Sequence, residues 1–161
     1  RRETAKAASF VVCGLGSLGQ YSVVLLKEFG ARVVAIDITP PHDWEVANLH
    51  SRLDHFLVGD CRQIEILEQA DIRQCRAILL LTSDERVNIA AAFAARSLNP
   101  QIRLVVRSAQ ENLNQLLSQQ LGNFVAYEPT QLPATAFALA ALGDTTQGFF
   151  NLEDTLVRVV K

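Results

Sequence analysis

The stretch VVCGLGSLGQ, residues 11–20, decides the fold of this chain. Its three glycines, Gly14, Gly16 and Gly19, follow one short apolar run and precede another. This spacing is typical of a turn from a β-strand into an α-helix, in which Gly14 permits the tight turn and Gly19 lets the helix pack closely on the sheet. Gly16 has no Cβ, so a pyrophosphate could approach the backbone there.

A carboxylate follows the second predicted strand, ARVVAIDI (31–38), about 20 residues past the glycines. Asp37 at the end of this strand would accept hydrogen bonds from ribose hydroxyls, and it would repel a 2′-phosphate, which disfavours NADP. Free N–H groups at the start of the helix would face the phosphates. NAD, ATP, ADP and AMP all expose a free ribose, so the nucleotide stays open. The predicted contacts of this half are Gly14, Leu15, Gly16, Ser17, Leu18, Gly19, Asp37 and Ile38.

Strands and helices alternate about six times along the chain. The predicted strands are continuous apolar runs without a period of two, which favours a parallel sheet covered on both faces. The fold class is therefore α/β: a Rossmann-like, doubly wound, six-stranded and mostly parallel sheet with helices on both faces. Strands are expected at 9–14, 31–38, 55–60, 75–83, 101–108 and 123–129, and helices at 18–30, near Trp44, and at 64–71, 84–100, 111–122 and 130–144.

Composition excludes several classes of protein. The chain has 161 residues, 49% of them apolar, and a net charge of −2, which indicates one domain with a sizeable core and argues against nucleic-acid binding through net charge. Three widely spaced cysteines without a CxxC indicate reduced thiols in a cytosolic protein. Neither HExxH nor a cysteine–histidine cluster occurs, so no metal site is expected.

The predicted domain boundaries leave two short flanks. We expect a linker over 1–8, a nucleotide-binding domain over 9–143, and a linker with the start of a further element over 144–161. No apolar run approaches the roughly 18 residues of a membrane span. The chain begins at Arg1 and contains no methionine, so it is expected to be part of a longer protein.

Five stretches together resemble the RCK or TrkA-N family, also called KTN, the cytoplasmic regulatory domains of potassium channels and transporters. They are GLGSLG (14–19), AID (35–37), VGD (58–60), AILLLTSDERVN (77–88) and LNPQIRLVVR (98–107). The resemblance covers about residues 9 to 142. It implies a homodimer that assembles into a ring beneath a membrane pore, at the inner face of the cell membrane, with NAD, NADH, AMP, ADP or ATP as ligand.

The resemblance also implies further contacts with the nucleotide. Asp60 and the main chain of Cys61 would meet the adenine edge, although Asp60 could instead only cap a helix. Ser83 or Asp84 could likewise cap the long helix, and capping can coexist with ligand contact. Arg107 would reach the phosphates or bridge to Asp84, or form only a surface ion pair. The whole implied set is Asp60, Cys61, Thr82, Ser83, Asp84, Asn88 and Arg107.

One departure from the family pattern bears on the ligand. Some members carry a basic residue between the second and third glycines, which helps to hold a triphosphate, and this chain has Ser17 there. ATP is therefore a less favoured candidate ligand than NAD, ADP or AMP.

The chain is expected to be a binding module and not an enzyme. The histidines fall at 42, 50 and 55, away from the expected nicotinamide end, and no nucleophile elbow or P-loop lysine occurs. Three functions remain: a nucleotide-sensing regulatory domain of a potassium channel, transporter or cation–proton antiporter; the cofactor domain of an NAD-dependent oxidoreductase; and a Rossmann scaffold without ligand.

Overall fold

Strands and helices alternate throughout the part of the chain that the structure describes. The computed structural model describes residues 7–128 and 134–143, and the backbone of 146–152 and 155–160. The elements are β1 (Ser9–Cys13), α1 (Ser17–Glu28), β2 (Arg32–Asp37), α2 (Leu49–Arg52), β3 (His55–Val58), α3 (Ile64–Gln69), β4 (Ala77–Leu80), α4 (Glu85–Leu98), β5 (Arg103–Arg107), α5 (Glu111–Leu121), β6 (Phe124–Tyr127), α6 (Ala134–Leu142), β7 (Thr146–Leu152) and β8 (Thr155–Val160). A 3₁₀ turn at Ile72–Gln74 precedes β4.

The central sheet has six strands in the order β3-β2-β1-β4-β5-β6. All five neighbouring pairs are parallel, so the expectation of a mostly parallel sheet is confirmed and extended. The order reverses between β1 and β4. In sheets of this kind a crevice opens at the reversal, outside the carboxyl ends of the strands.

Both faces of the sheet are buried, which explains why the strands are continuously apolar. Val11 and Cys13 point into one core, beneath α3, α4 and α5. Phe10 and Val12 point into the other, beneath α1 and α6. All four residues of β4 are buried.

Helix α6 packs against its own domain. Ala136, Phe137 and Ala138 are fully buried, and the helix contacts α1, β4 and β5. Its last carbonyls accept hydrogen bonds from two arginines, Arg103 to Ala140 and Arg76 to Leu142, which suits the negative end of a helix dipole. The alanine-rich composition of α6 is thus explained by close packing within the chain.

One expectation for the elements needs correction. The helix expected near Trp44 is confined to α2, because Pro40 and Pro41 lie in the preceding loop and Asn48 adopts a left-handed conformation with φ of 62°. In the region where a further element is expected to start, β7 and β8 pair as an antiparallel hairpin. Residues 1–6 of the expected linker lie outside the described residues.

Candidate functional site

A cleft of about 350 Å³ opens at the carboxyl edge of the sheet, at the reversal of strand order. Most of the residues singled out from the sequence line it. Its walls are formed by Gly14, Gly16, Ile36, Asp37, Ile38, Gly59, Asp60, Cys61, Arg62, Leu81, Thr82, Ser83, Asp84, Val87 and Arg107.

The three glycines of the turn differ in the space that surrounds them. Gly14 has φ of +91°, and a Cβ there would lie 2.9 Å from the Thr82 amide nitrogen. A Cβ on Gly19 would lie 1.8 Å from the Gly14 carbonyl oxygen. A Cβ on Gly16 would meet no atom within 4 Å. Gly14 and Gly19 are therefore required by packing, whereas Gly16 borders the open space of the cleft.

Asp37 is held by the glycine turn. Its Oδ2 accepts a hydrogen bond from the Leu15 amide at 2.7 Å, and its Oδ1 accepts one from the Thr39 amide at 3.4 Å. The Gly14 amide donates to the Ile36 carbonyl at 2.9 Å, which fixes the turn against the end of β2. The carboxylate thus lies at the cleft wall beside the turn, as the spacing predicts.

Asp60 lies at the wall formed by the loop after β3. Its Oδ1 accepts from the Arg62 amide at 2.9 Å, and its carboxylate pairs with the Arg62 guanidinium at 2.7 Å. These hydrogen bonds from Arg62 lower the pKa of Asp60. Asp60 is not the N-cap of α3, because that position belongs to Gln63.

The wall after β4 combines the two roles that the sequence suggests, helix capping and exposure to a ligand. Asp84 is the N-cap of α4, and its Oδ1 accepts from the Arg86 amide at 2.9 Å. This backbone hydrogen bond lowers the pKa of Asp84. Thr82, Ser83 and Asp84 also line the cleft, so capping and exposure to a ligand coexist.

Asn88 lies behind the wall. It is fully buried, and its amide makes four hydrogen bonds: Oδ1 accepts from the Thr82 amide and hydroxyl, and Nδ2 donates to the carbonyls of Thr82 and Arg107. These bonds use the full capacity of a carboxamide. Asn88 therefore joins the ends of β4 and β5 and positions the wall, whereas the resemblance implies a ligand contact.

Replacing Asn88 by alanine is expected to lower the free energy of unfolding by about 2 kcal/mol, because buried backbone groups lose their partners. Urea unfolding followed by circular dichroism measures this loss. Asn112→Ala, at an exposed position of α5, is the control and should change stability much less. Unchanged stability in the Asn88 variant would contradict the positioning role.

Arg107 supplies a positive charge at the end of β5. Within the described part of the chain its guanidinium makes no hydrogen bond or ion pair, so the expected bridge to Asp84 is not formed. Asp84 pairs with Arg86 at 3.5 Å. The Arg107 side chain at the cleft wall is thus available to an anion.

The loop over residues 39–48 is tied to the glycine turn. Gln20, which is 2% exposed, donates to the Leu15 and Asp43 carbonyls at 3.0 and 3.2 Å and accepts from the Glu45 amide at 2.8 Å. The Ser17 hydroxyl donates to the Glu45 carboxylate. A carboxylate thus lies at the N-terminus of α1, close to the expected position of the phosphates.

Some residues that line the cleft were not predicted from the sequence, and some predicted contacts do not line it. Arg62 was missed, although an arginine two residues after Asp60 is a signal that could have found it. Ile36, Gly59, Leu81 and Val87 line the cleft as neighbours of the motifs. Five predicted contacts do not line it: Leu15, Ser17, Leu18, Gly19 and Asn88.

The residues that the structure describes contain neither a membrane-spanning helix nor a cluster of metal-ligating side chains. Among those residues, no helix is long and apolar enough to span a membrane. No group of three or more histidine, cysteine or acidic side chains in the same ranges is placed to hold a metal ion.

Two potassium transport proteins are similar to this chain in sequence. The voltage-gated potassium channel Kch of Escherichia coli is 29% identical over 111 residues, which cover 66% of this chain and 26% of Kch. A Trk system potassium uptake protein TrkA homologue of Pyrococcus horikoshii is 30% identical over 97 residues, which cover 60% of this chain and 42% of that protein. The match thus spans less than half of either relative.

Solved structures share the fold. The TrkA-N domain of the inner membrane protein ybaL from Escherichia coli has a TM-score of 0.65 at 17% identity, covering 86% of this chain and 98% of that one. The Kef C-terminal domain of Shewanella denitrificans in its AMP-bound form has a TM-score of 0.60 at 17% identity, covering 83% and 88%. The GsuK channel bound to NAD has a TM-score of 0.56 at 17% identity, covering 76% and 22%.

The family model for the TrkA-N domain matches residues 10–127, which run from β1 to the end of β6 and include every residue of the cleft wall. The glycine turn, Asp37 and the walls after β3, β4 and β5 all fall inside this match. The chain belongs to the TrkA-N family, the family to which its sequence motifs point.

Proposed function

We propose that this domain binds an adenine nucleotide with an unmodified ribose in the cleft, and that binding regulates a potassium channel, transporter or cation–proton antiporter. The observation that carries the proposal is the position of Asp37. Its carboxylate lines the cleft and is oriented by the Leu15 amide of the glycine turn. A carboxylate beside a phosphate-binding turn can accept hydrogen bonds from both ribose hydroxyls, and it disfavours a 2′-phosphate.

The phosphates would lie at Gly16, where no atom would meet a Cβ. Arg107, without an ion-pair partner among the described residues, would neutralise part of their charge. Ser17 offers no cation, and its hydroxyl donates to Glu45. This charge distribution favours AMP, ADP or the dinucleotides NAD and NADH over ATP.

The adenine would lie against the loop after β3. Asp60 and the main chain of Cys61 line that wall, and Arg62 is held there by its ion pair with Asp60. A planar guanidinium beside the base could also stack on it. The AMP-bound Kef domain and the NAD-bound GsuK channel, which share this fold, support an adenine nucleotide in this family.

Regulation would follow from a difference in affinity between two arrangements of the domain and its neighbours. A nucleotide shifts such an equilibrium only by as much as it prefers one arrangement. We propose a homodimer at the inner face of the membrane, with α4 as its contact element, since Phe93 on α4 is 49% exposed. The nucleotide-binding domain would span residues 9–143, followed by the hairpin of β7 and β8.

Isothermal titration calorimetry of the chain with AMP, ADP, ATP, NAD and NADH, and with NADP for comparison, tests the proposal. We expect binding of at least one of these, weaker binding of ATP than of ADP, and none of NADP. A folded protein that binds none of them would overturn the proposal and favour a scaffold without ligand. Hydride transfer to a substrate would instead favour a cofactor domain of an oxidoreductase.

The position of Glu45 leads to a prediction for affinity. Removing its negative charge from the N-terminus of α1 in Glu45→Gln should strengthen nucleotide binding about twofold, since repulsion between exposed charges is worth about 0.5 kcal/mol. Calorimetry at low and high salt measures the gain, which should shrink with salt. Glu28→Gln, at the other end of α1, is the matched control and should leave the affinity unchanged.

A further inference from the structure

Two of the three cysteines lie in the core beside the cleft, and one of them lines it. Cys13 is the last residue of β1, directly before Gly14, and its side chain is fully buried. Cys61 directly follows Asp60, is 5% exposed, and lines the cleft. Both belong to the same core cluster, and the two side chains lie close enough to interact with each other. Of the two, only Cys61 lines the cleft.

The surroundings of the two thiols differ in electrostatics. Burial raises the pKa of Cys13 well above its usual value, and the neighbouring Cys61 and Asp37 raise it further. Interaction with the Cys13 thiol lowers the pKa of Cys61, against the opposing effects of burial and of Asp60. Arg62 also acts to lower it. A negative charge on the pair therefore resides on Cys61, the cysteine that lines the cleft.

We propose that Cys13 and Cys61 form an oxidant-sensitive thiol pair, in which a peroxide that enters the cleft reacts at Cys61 and Cys13 then closes a disulfide. Thiolate character and access select the cysteine that reacts first, and an adjacent thiol resolves the sulfenic acid. The proposal concerns the thiols alone and does not depend on which nucleotide binds.

The chemistry balances with a peroxide as the oxidant. The Cys61 thiolate attacks one oxygen of hydrogen peroxide, the O–O bond breaks, and hydroxide leaves and is protonated to water. The Cys13 sulfur then attacks the sulfur of the Cys61 sulfenic acid, and the departing hydroxide takes the Cys13 proton to form a second water. Two thiols are oxidised to one disulfide, and one peroxide is reduced to two waters.

The disulfide would act directly on the cleft. It would join the end of β1 to the loop after β3, between Gly14 on one side and Asp60 on the other. Both neighbours line the cleft. Oxidation would therefore restrain the two walls relative to each other, at the place where a ligand would enter.

Cys75 provides an internal control. It is 6% exposed, nearly the same as Cys61. Its thiol is hydrogen-bonded to the Asp71 carbonyl at 3.4 Å, and burial raises its pKa to about 12. It lies at the opposite edge of the sheet, before β4. Similar exposure with a protonated thiol makes Cys75 the reference for slow oxidation.

Mass spectrometry of the folded chain after exposure to a molar excess of hydrogen peroxide tests the proposal. Trypsin places the three cysteines in separate peptides, 7–27, 53–62 and 74–76. Under non-reducing conditions we expect peptides 7–27 and 53–62 to become linked, and Cys61 to be lost at least about tenfold faster than Cys75. Loss of Cys75 as fast as Cys61, or loss of Cys61 without the link, would overturn the proposal.

Two variants test the order of the steps. In Cys13→Ala, the sulfenic acid of Cys61 should persist and be trapped by dimedone. In Cys61→Ala, Cys13 should stay unmodified, and an adduct on Cys13 would overturn the assignment of Cys61 as the reacting thiol. The measurement on the unsubstituted chain stands even if a variant fails to fold.

Discussion

Substituting alanine for Gly19 is expected to lower the free energy of unfolding by about 3 kcal/mol or more. The added Cβ would lie 1.8 Å from the Gly14 carbonyl oxygen and 2.9 Å from its carbon. These are backbone atoms of the turn, so no flexible side chain can move away to make room. The whole turn would have to separate from α1, and the cleft wall would be lost with it. Urea unfolding of both proteins measures the difference.

Gly16→Ala is the matched control for this substitution. Gly16 has φ of −71° and open space where a Cβ would lie, so alanine is compatible with the backbone. Its stability should be unchanged or slightly higher, since alanine reduces the conformational freedom of the unfolded chain. Equal stability losses in the two variants would show that the close contact at Gly19 does not decide the effect.

Substituting alanine for Asp37 is expected to weaken nucleotide binding about a hundredfold. In the proposed binding mode, two hydrogen bonds from ribose hydroxyls to the carboxylate would be lost, which costs about 3 kcal/mol in total. The substitution also leaves the Leu15 amide without the acceptor that now lies 2.7 Å away. Calorimetry with the nucleotide that the unsubstituted chain binds best gives the ratio of the dissociation constants.

Two further variants separate the direct effect from an effect on the turn. Asp37→Asn keeps an acceptor oxygen for the Leu15 amide but removes the charge, so its loss of affinity should be intermediate. Asp54→Asn, at the opposite edge of the sheet beside Lys27, should leave the affinity unchanged. Wild-type affinity in both Asp37 variants would place the ribose elsewhere.

The fold could be predicted because local and long-range signals agree. Gly14 and Gly19 occupy positions where a side chain would collide with backbone atoms. The spacing of these glycines in the sequence therefore predicts the turn. The apolar runs at β1 and β4 are buried on both faces, and only a covered parallel sheet buries strands in this way. The position of Asp37 followed from the same motif.

The remainder could not be predicted because it depends on which partner a side chain meets. Asn88 is a polar residue of a kind that often contacts a ligand. Its orientation toward Thr82 and Arg107 is decided by the packing of α4. Glu45 is 28 residues from Ser17 in the chain, and no local pattern indicates their contact. The hairpin of β7 and β8 lacks the two-residue Asn-Gly or Asp-Gly turn that usually reveals one.

The four hydrogen bonds of Asn88 have a consequence for the proposed response to a nucleotide. Together with the close approach of Gly14 to Thr82, they fasten the ends of β1, β4 and β5 into a preorganised frame. A preorganised frame costs little entropy to occupy, so affinity is retained while the frame itself barely moves. A conformational change would then occur in a part of the domain that is held by fewer hydrogen bonds. We expect displacement first in the segment of residues 39–48, which is joined to the turn through the side chains of Gln20 and Ser17.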